Sequence, residues 1–297
     1  MPALQPLLDR LGEARPILLD GATGTELHRR GVATSLPLWS AAALIDAPAI
    51  VQQIHRDYVA AGAEVITANT FRTHERNLWA GGMPDAKVAA ARLTCEAVTL
   101  ARAAVGTAAW VAGSQAPLED CYSPQLTPPN DELDREHRQM AENLAAAGVD
   151  FILVETQPTI GEAVAATRAA AATGLPVLTS FVCRADGCLL SGEPLAEAAR
   201  AVIPLKPAAV LVNCAPARAM HRLLEILRGE CGDTPRGCYA NIGEPDDVRG
   251  WRNTAEDPAI YAAHAQTWLA AGAHLIGGCC GTTPRHIERL RHLIDAA

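Results

Sequence analysis

Lysine is almost missing from this chain of 297 residues: Lys87 and Lys206 are its only two, and the positive charge is carried by arginine. Twenty-five Lys+Arg against 33 Asp+Glu leave a net charge of −8, with no basic run. That balance speaks against general binding to nucleic acid or to an anionic membrane. Aromatic residues are scarce too, at 4%, which disfavours a large aromatic cage for a quaternary ammonium. Long apolar runs are absent: those at 151–154 and 209–212 fall far short of the ~20 residues needed to span a bilayer. The N-terminal stretch has acidic residues and no signal-peptide core, so the expected setting is cytoplasmic. Also missing are Gly-x-Gly-x-x-Gly after the first apolar run, a Walker sequence, Gly-x-Ser-x-Gly and His-Glu-x-x-His, which removes support for nucleotide binding, a serine hydrolase elbow and a zincin. Neither lysine ends an apolar run as a Schiff-base residue in a barrel would: Lys87 opens a helical stretch and Lys206 precedes a strand.

What is present is alternation. With 49% hydrophobic residues the chain can bury a large core. Short apolar runs fall near Ile17–Leu19, Val65–Ala68, Trp110–Gly113, Phe151–Val154, Val177–Phe181, Ala209–Val212, Gly237–Ala240 and Leu275–Gly277. Such unbroken runs suit parallel strands covered on both faces. Between them lie Ala-rich stretches of helical spacing at 48–61, 86–104, 131–147, 160–173, 195–203, 218–229, 258–271 and 284–295. Three helix-to-strand joints share wording: AAGAEVIT (60–67), AAGVDFILVE (146–155) and AAGAHLIGG (270–278). Eight strand–helix units in order predict a single (β/α)8 TIM barrel, one domain over 1–297; a doubly wound open sheet is the alternative.

In such a barrel the working groups lie at the C-terminal ends of the strands. There the sequence places Asp20-Gly21, Asn69-Thr70, Ser114-Gln115, Glu155-Thr156, Asn213-Cys214, Asn241 and Cys279-Cys280. Any one Ser or Asn at a strand end is ordinary. Asp20 and Glu155 each follow an apolar run directly, where burial without a partner is costly, and they read as ligand-facing. Nine cysteines without an export signal fit reduced thiols. Cys214, Cys279 and Cys280 have the make-up of a three-thiolate catalytic metal site with one open position. On spacing alone, inert core thiols or a vicinal disulfide at 279–280 stay open. Cys95, Cys121, Cys183, Cys188, Cys231 and Cys238 read as ordinary thiols, and the nine histidines are scattered.

LDGATGTEL (19–27), AGAEVITANTF (61–71), LVNC (211–214), YANIGE (239–244) and IGGCCGTTPRHI (276–287) together resemble the zinc-dependent homocysteine S-methyltransferase family, over about residues 15–294. Its members are TIM barrels that use S-methylmethionine, betaine or cobalamin-bound methyl. The resemblance implies zinc on Cys214, Cys279 and Cys280, with these thiolates as the catalytic centre. It also implies Asp20 and Glu155 on the homocysteine ammonium, and the backbone around Gly21 and Thr70, beside Asn69, on its carboxylate. Asn241 matches a position whose side-chain oxygen can fill the fourth zinc site before substrate arrives. Three thiolates on Zn²⁺ leave a centre of charge −1, a poor Lewis acid that keeps a fourth sulfur nucleophilic.

For the donor, Trp39-Ser40 in PLWSA resembles the branch that uses S-methylmethionine, and Thr156 stands where betaine-using members carry an aromatic residue. A sulfonium donor, S-methylmethionine or S-adenosylmethionine, is therefore expected, facing Trp39, Phe71 or Tyr122. No cobalamin-binding domain is read in these 297 residues, so use of methylcobalamin is expected to require a partner corrinoid protein. Another small thiol or selenol as acceptor, and a zinc-storing or redox-sensing thiol protein, are the remaining alternatives. The sequence leaves the oligomeric state open.

Overall fold

In a computed structural model that describes residues 6–246, 250–252, 254 and 256–296, the apolar runs form one eight-stranded parallel sheet: β1 (Ile17–Leu18), β2 (Val65–Ala68), β3 (Trp110–Gln115), β4 (Phe151–Gln157), β5 (Val177–Val182), β6 (Ala209–Pro216), β7 (Arg236–Asn241) and β8 (Leu275–Gly278). Each strand pairs with its sequence neighbour and β8 pairs with β1. The last seam, β1 to β2, closes through a Leu19–Val65 bridge, with Glu64 N–H donating to the Leu18 carbonyl (2.8 Å) and Asp20 N–H to that of Val65 (3.1 Å). This is the expected (β/α)8 barrel.

Its outer ring is α1 (Pro48–Ala60), α2 (Ala86–Val105), α3 (Asn130–Ala147), α4 (Ile160–Ala171), α5 (Leu195–Val202), α6 (Met220–Glu230), α7 (Pro258–Ala270) and α8 (Pro284–Asp295). Local chemistry marks several starts. Thr159 accepts from Glu162 N–H, Asp257 from Ala259 N–H, and Thr283 and His286 form a reciprocal capping pair, each satisfying donors a helix leaves free. At the three repeated joints Gly62, Gly148 and Gly272 have φ of 95°, 81° and 81°. That left-handed turn lets the chain double back from helix into strand. No described helix is long and apolar enough to cross a membrane.

Alternation along the strands separates two cores. Ile17, Leu19, Val65, Trp110, Phe151, Leu153, Leu211 and Leu275 pack together inside the barrel. Their sequence neighbours Leu18, Ile66, Val111, Ile152, Val210 and Ile276 pack outward with the helices. Continuing the inward rows toward the strand ends reaches Thr67, Ser114, Glu155, Asn213 and Tyr239, so the polar layer is the next step above a sealed apolar floor.

Four short helices, Leu7–Leu11, Gly24–Arg29, Ala43–Asp46 and Glu75–Ala80, and a hairpin pairing Glu244–Asp246 with Gly250–Arg252 were not anticipated. They are too short to show a periodicity. Strands β3, β4 and β6 run past their apolar cores into Gln115, Gln157 and Pro216, because the backbone there stays paired with the neighbouring strand.

Candidate active site at the barrel mouth

The strand ends open into a cavity of about 360 Å³ lined by Asp20, Gly21, Trp39, Asn69, Glu155 and Thr156, and by Cys214, Cys279 and Cys280. The three sulfurs lie within 4.8 Å of one another, and the Cys214 and Cys280 Sγ atoms are 3.7 Å apart. Metal–sulfur bonds of ~2.3 Å in a tetrahedron would set sulfurs about 3.8 Å apart, so the cluster fits a metal ion held by three thiolates.

Regular strand geometry would not build it. Asn213 occupies the inward row of β6, so its neighbour Cys214 should face the helices. The ladder slips between Asn213 and Pro216, and Cys214 takes φ of 51°, which turns its thiol into the cavity. A matching slip lies between Val154 and Gln157 on β4, where Thr156 has φ of 60°. Positive φ in a β-branched residue is costly and persists only where its surroundings enforce it. Asn213 does the enforcing. Its Oδ1 accepts from Thr156 N–H (3.0 Å) and Ser180 Oγ–H (2.7 Å), and its Nδ2 donates to Thr156 Oγ1 (2.8 Å), so one buried amide ties both bulges together.

Cys279 and Cys280 sit on a turn nailed to its surroundings. Cys279 N–H donates to the Ala240 carbonyl (2.7 Å), Ile242 N–H to that of Cys280 (2.7 Å), and Gly281 N–H to Thr25 Oγ1 (2.9 Å). Gly281 has φ of 85°, and a Cβ on it would fall 1.9 Å from the Ile242 carbonyl oxygen, so no other residue allows the turn. The thiols are free and no disulfide links 279 to 280. Cys214 is held well below the ordinary thiol range because Cys279, Cys280 and Tyr122 hydrogen-bond to it, while Cys279 and Cys280 are pushed up because they hydrogen-bond to Cys214 as thiols, with burial and the Cys214 charge adding to the effect. The Tyr122 hydroxyl lies 3.0 Å from Cys214 Sγ.

The carboxylates are buried but tethered. Asp20 accepts from Thr67 N–H (2.8 Å) and Thr67 Oγ–H (2.9 Å); Glu155 accepts from Ser114 Oγ–H (2.5 Å) and the Tyr239 hydroxyl (3.1 Å). Burial still dominates and pushes Asp20 up to about 8 and Glu155 to about 7. A cation received beside them would replace their protons with its own charge.

One expected residue lies behind the wall. Thr70 sends its N–H to the Ala68 carbonyl (2.6 Å) and its hydroxyl to that of Ser114 (2.9 Å), so neither faces the cavity. Asn241 donates Nδ2 to the Cys214 carbonyl (2.8 Å) and so braces the backbone that carries the thiol. Asn69 faces the cavity, fixed by donation to the Ser40 carbonyl (2.8 Å). Cys121, read as an ordinary thiol, lines the cavity outside the three-sulfur cluster. The sequence reading missed Thr67, Tyr239, Arg72 and Trp251. Only the first two carried a signal, as inward steps of strands already identified.

A family model described as homocysteine S-methyltransferase matches residues 17–294. The chain belongs to the homocysteine S-methyltransferase family. Homocysteine S-methyltransferase YbgG of Bacillus subtilis is 32% identical over 92% of this chain and 93% of its own length. Homocysteine S-methyltransferase of Escherichia coli is 32% identical over 96% and 97%. Among solved structures, the metallated form of the E. coli homocysteine methyltransferase MmuM superposes with a TM-score of 0.83 at 27% identity, covering 97% of this chain and 100% of that one.

Proposed function

We propose that this chain is a zinc-dependent homocysteine S-methyltransferase, a single barrel domain over 1–297 acting in the cytoplasm. It moves a methyl group from a sulfonium donor, S-methylmethionine or S-adenosylmethionine, to the thiol of L-homocysteine. The observation that carries this reading is that three clustered thiols and two buried carboxylates face one cavity. A homocysteine molecule offers the matching pair, a thiol and an ammonium on one short chain.

Cys214, Cys279 and Cys280 would hold the zinc, which would supply the substrate sulfur as a thiolate at neutral pH. Asp20 and Glu155 receive the ammonium, each held in place by the hydroxyl and amide donors behind it. The backbone around Gly21, with Asn69, receives the substrate carboxylate. The Tyr122 hydroxyl, against Cys214 Sγ, steadies that thiolate, and Asn241 supports it from the backbone side.

The donor's sulfonium sits among aromatic rings that line the same cavity. Trp39 and Phe71 form an edge-on pair with centroids 6.0 Å apart, and Tyr122 and Trp251 a tilted pair 6.2 Å apart. Ring faces attract a sulfonium as they do other cations, while Thr156 adds no aromatic wall for betaine. The homocysteine sulfur forms its bond to the methyl carbon as the donor's carbon–sulfur bond breaks. The electron pair leaves with the donor sulfur, now a neutral thioether, and the thiol proton goes to solvent. Fixing both partners in line supplies much of the rate.

The test is methionine formation followed by mass spectrometry, with zinc-loaded and chelated protein and S-methylmethionine, S-adenosylmethionine or betaine in parallel. Zinc-dependent methionine from a sulfonium, and little from betaine, is the expected result. Homocysteine binding without turnover of any free donor would contradict it and point to a partner methyl-corrinoid protein.

A further inference from the structure

One strong positive charge in the cavity has no part in holding homocysteine. Arg72, two residues beyond Thr70, lines the cavity and is only 6% exposed. Its guanidinium is poorly satisfied. Nη1 reaches Asn77 Oδ1 at 3.4 Å, Nη2 stands 3.8 Å from Asp120 Oδ1, and Nε has no partner. The Phe71 ring flanks it, with Cζ 5.5 Å from the centroid. A guanidinium kept only for structure would be saturated, because a buried charge with unmet donors is destabilising.

Asp120 also lines the cavity. Its carboxylate accepts from Tyr122 N–H (3.3 Å) and Ser123 Oγ–H (3.0 Å), which fixes the turn while leaving the side chain 37% exposed. Tyr122, two residues on, reaches Cys214 Sγ. The segment 120–122 therefore runs from this charge pair to the thiol cluster, past the rings of Tyr122 and Trp251. Opposite charges that face one cavity and pair with each other only loosely, at 3.8 Å and beyond hydrogen-bond reach, match a ligand with both a carboxylate and an ammonium.

Resting on the reading of this cavity as a sulfonium-to-homocysteine site, we propose that Arg72 takes the α-carboxylate of the methyl donor and Asp120 its α-ammonium. Donor specificity is then for an α-amino-acid sulfonium, with the acceptor's ammonium held separately by Asp20 and Glu155. Betaine has a carboxylate for Arg72 but no N–H to offer Asp120, and its one quaternary nitrogen is the reacting centre, so the Asp120 half of the pair selects against it.

The experiment is calorimetric titration of zinc-loaded full-length protein with S-methylmethionine, its decarboxylated analogue (3-aminopropyl)dimethylsulfonium and its deaminated analogue (3-carboxypropyl)dimethylsulfonium. The wild type should bind each truncated analogue about 10- to 100-fold more weakly than S-methylmethionine, the range for losing a charge-assisted hydrogen bond. Arg72→Gln should weaken S-methylmethionine by the same factor and leave the decarboxylated analogue unchanged, with partial recovery in Arg72→Lys. Asp120→Asn should do the reverse, sparing the deaminated analogue. Wild-type circular dichroism and Tm mark the variants as folded, and homocysteine affinity should be unchanged in all of them. Equal binding of all three sulfoniums by the wild type, or a loss of homocysteine affinity in folded Arg72→Gln, would overturn the assignment. Methyl transfer is assayed separately: S-methylmethionine bound through the pair but not turned over would count against the transferase reading and leave the pair standing.

Discussion

The carboxylate end and the thiol end of the cavity are built by opposite means. Glu155 continues the inward row of β4 above Phe151 and Leu153, and Asp20 extends the β1–β2 seam through Thr67. Glu155 points where regular alternation directs it, at the last inward step as the β4 slip begins, and the Asp20 backbone keeps the β1–β2 pairing. The thiols depend on departures from it: a slipped ladder with Cys214 at φ of 51°, and a turn at Cys279–Cys280 that only Gly281 permits. An ammonium tolerates several approach directions, so a regular strand end suffices to meet it. Three sulfurs around one ion demand fixed directions, and strained backbone supplies them. Damage should therefore be abrupt at the thiol end and graded at the carboxylate end.

The largest effect is expected from Cys214→Ser. Turnover should fall by about 1,000-fold or more, with loss of bound metal by atomic absorption, because the remaining two thiols cannot enforce the site; full zinc and full activity would refute its assignment as a ligand. Next is Asn213→Ala, which leaves every thiol in place and frees both bulges. Metal affinity should drop by about tenfold to a hundredfold, as for residues that orient metal ligands, while homocysteine-independent folding survives. Unchanged zinc affinity would show that the bulges hold without the amide.

The smallest effect lies at the carboxylate end. With folded values of about 8 for Asp20 and about 7 for Glu155, the folded, metal-free protein binds more protons than the unfolded chain above about pH 4. Their stabilising contribution is therefore fully present below the unfolded carboxylate range and is lost as pH rises through 7–8. Metal-free Asp20→Asn should show a shallower fall in Tm between pH 5 and 8.5 than the wild type, and at pH 8 a Tm higher by roughly 5 °C. It should also bind homocysteine less tightly, since a site poised for a cation is costly when empty. Identical pH profiles would mean that Asp20 is not the group held protonated.

What could be read in advance follows the same division. The barrel, its strand order and the inward rows were legible because period-two burial acts on every strand, and that row carries directly to Glu155. Three of the repeated joints were legible through glycines with left-handed φ. The convergence of Cys214 with Cys279 and Cys280 was not derivable from spacing: alternation assigns Cys214 to the wrong face, and the correction lies in a bulge beside Asn213, whose amide is tied across to Thr156 on β4. Thr70 was expected at the substrate from likeness of wording, yet its N–H and hydroxyl are engaged with neighbouring carbonyls, while Asn241 spends its Nδ2 on the Cys214 carbonyl. Trp251 arrives on a hairpin from a stretch without an apolar run, and Arg72 on a loop, where no periodicity signals direction.

The central claim, that one small molecule engages both ends at once, is tested most directly by calorimetric titration of homocysteine into zinc-loaded wild type, the same preparation after chelation, and zinc-loaded Glu155→Gln. The account predicts that chelation and Glu155→Gln each weaken binding by about tenfold or more, with the zinc content of Glu155→Gln unchanged. Homocysteine affinity indifferent to either change would contradict it.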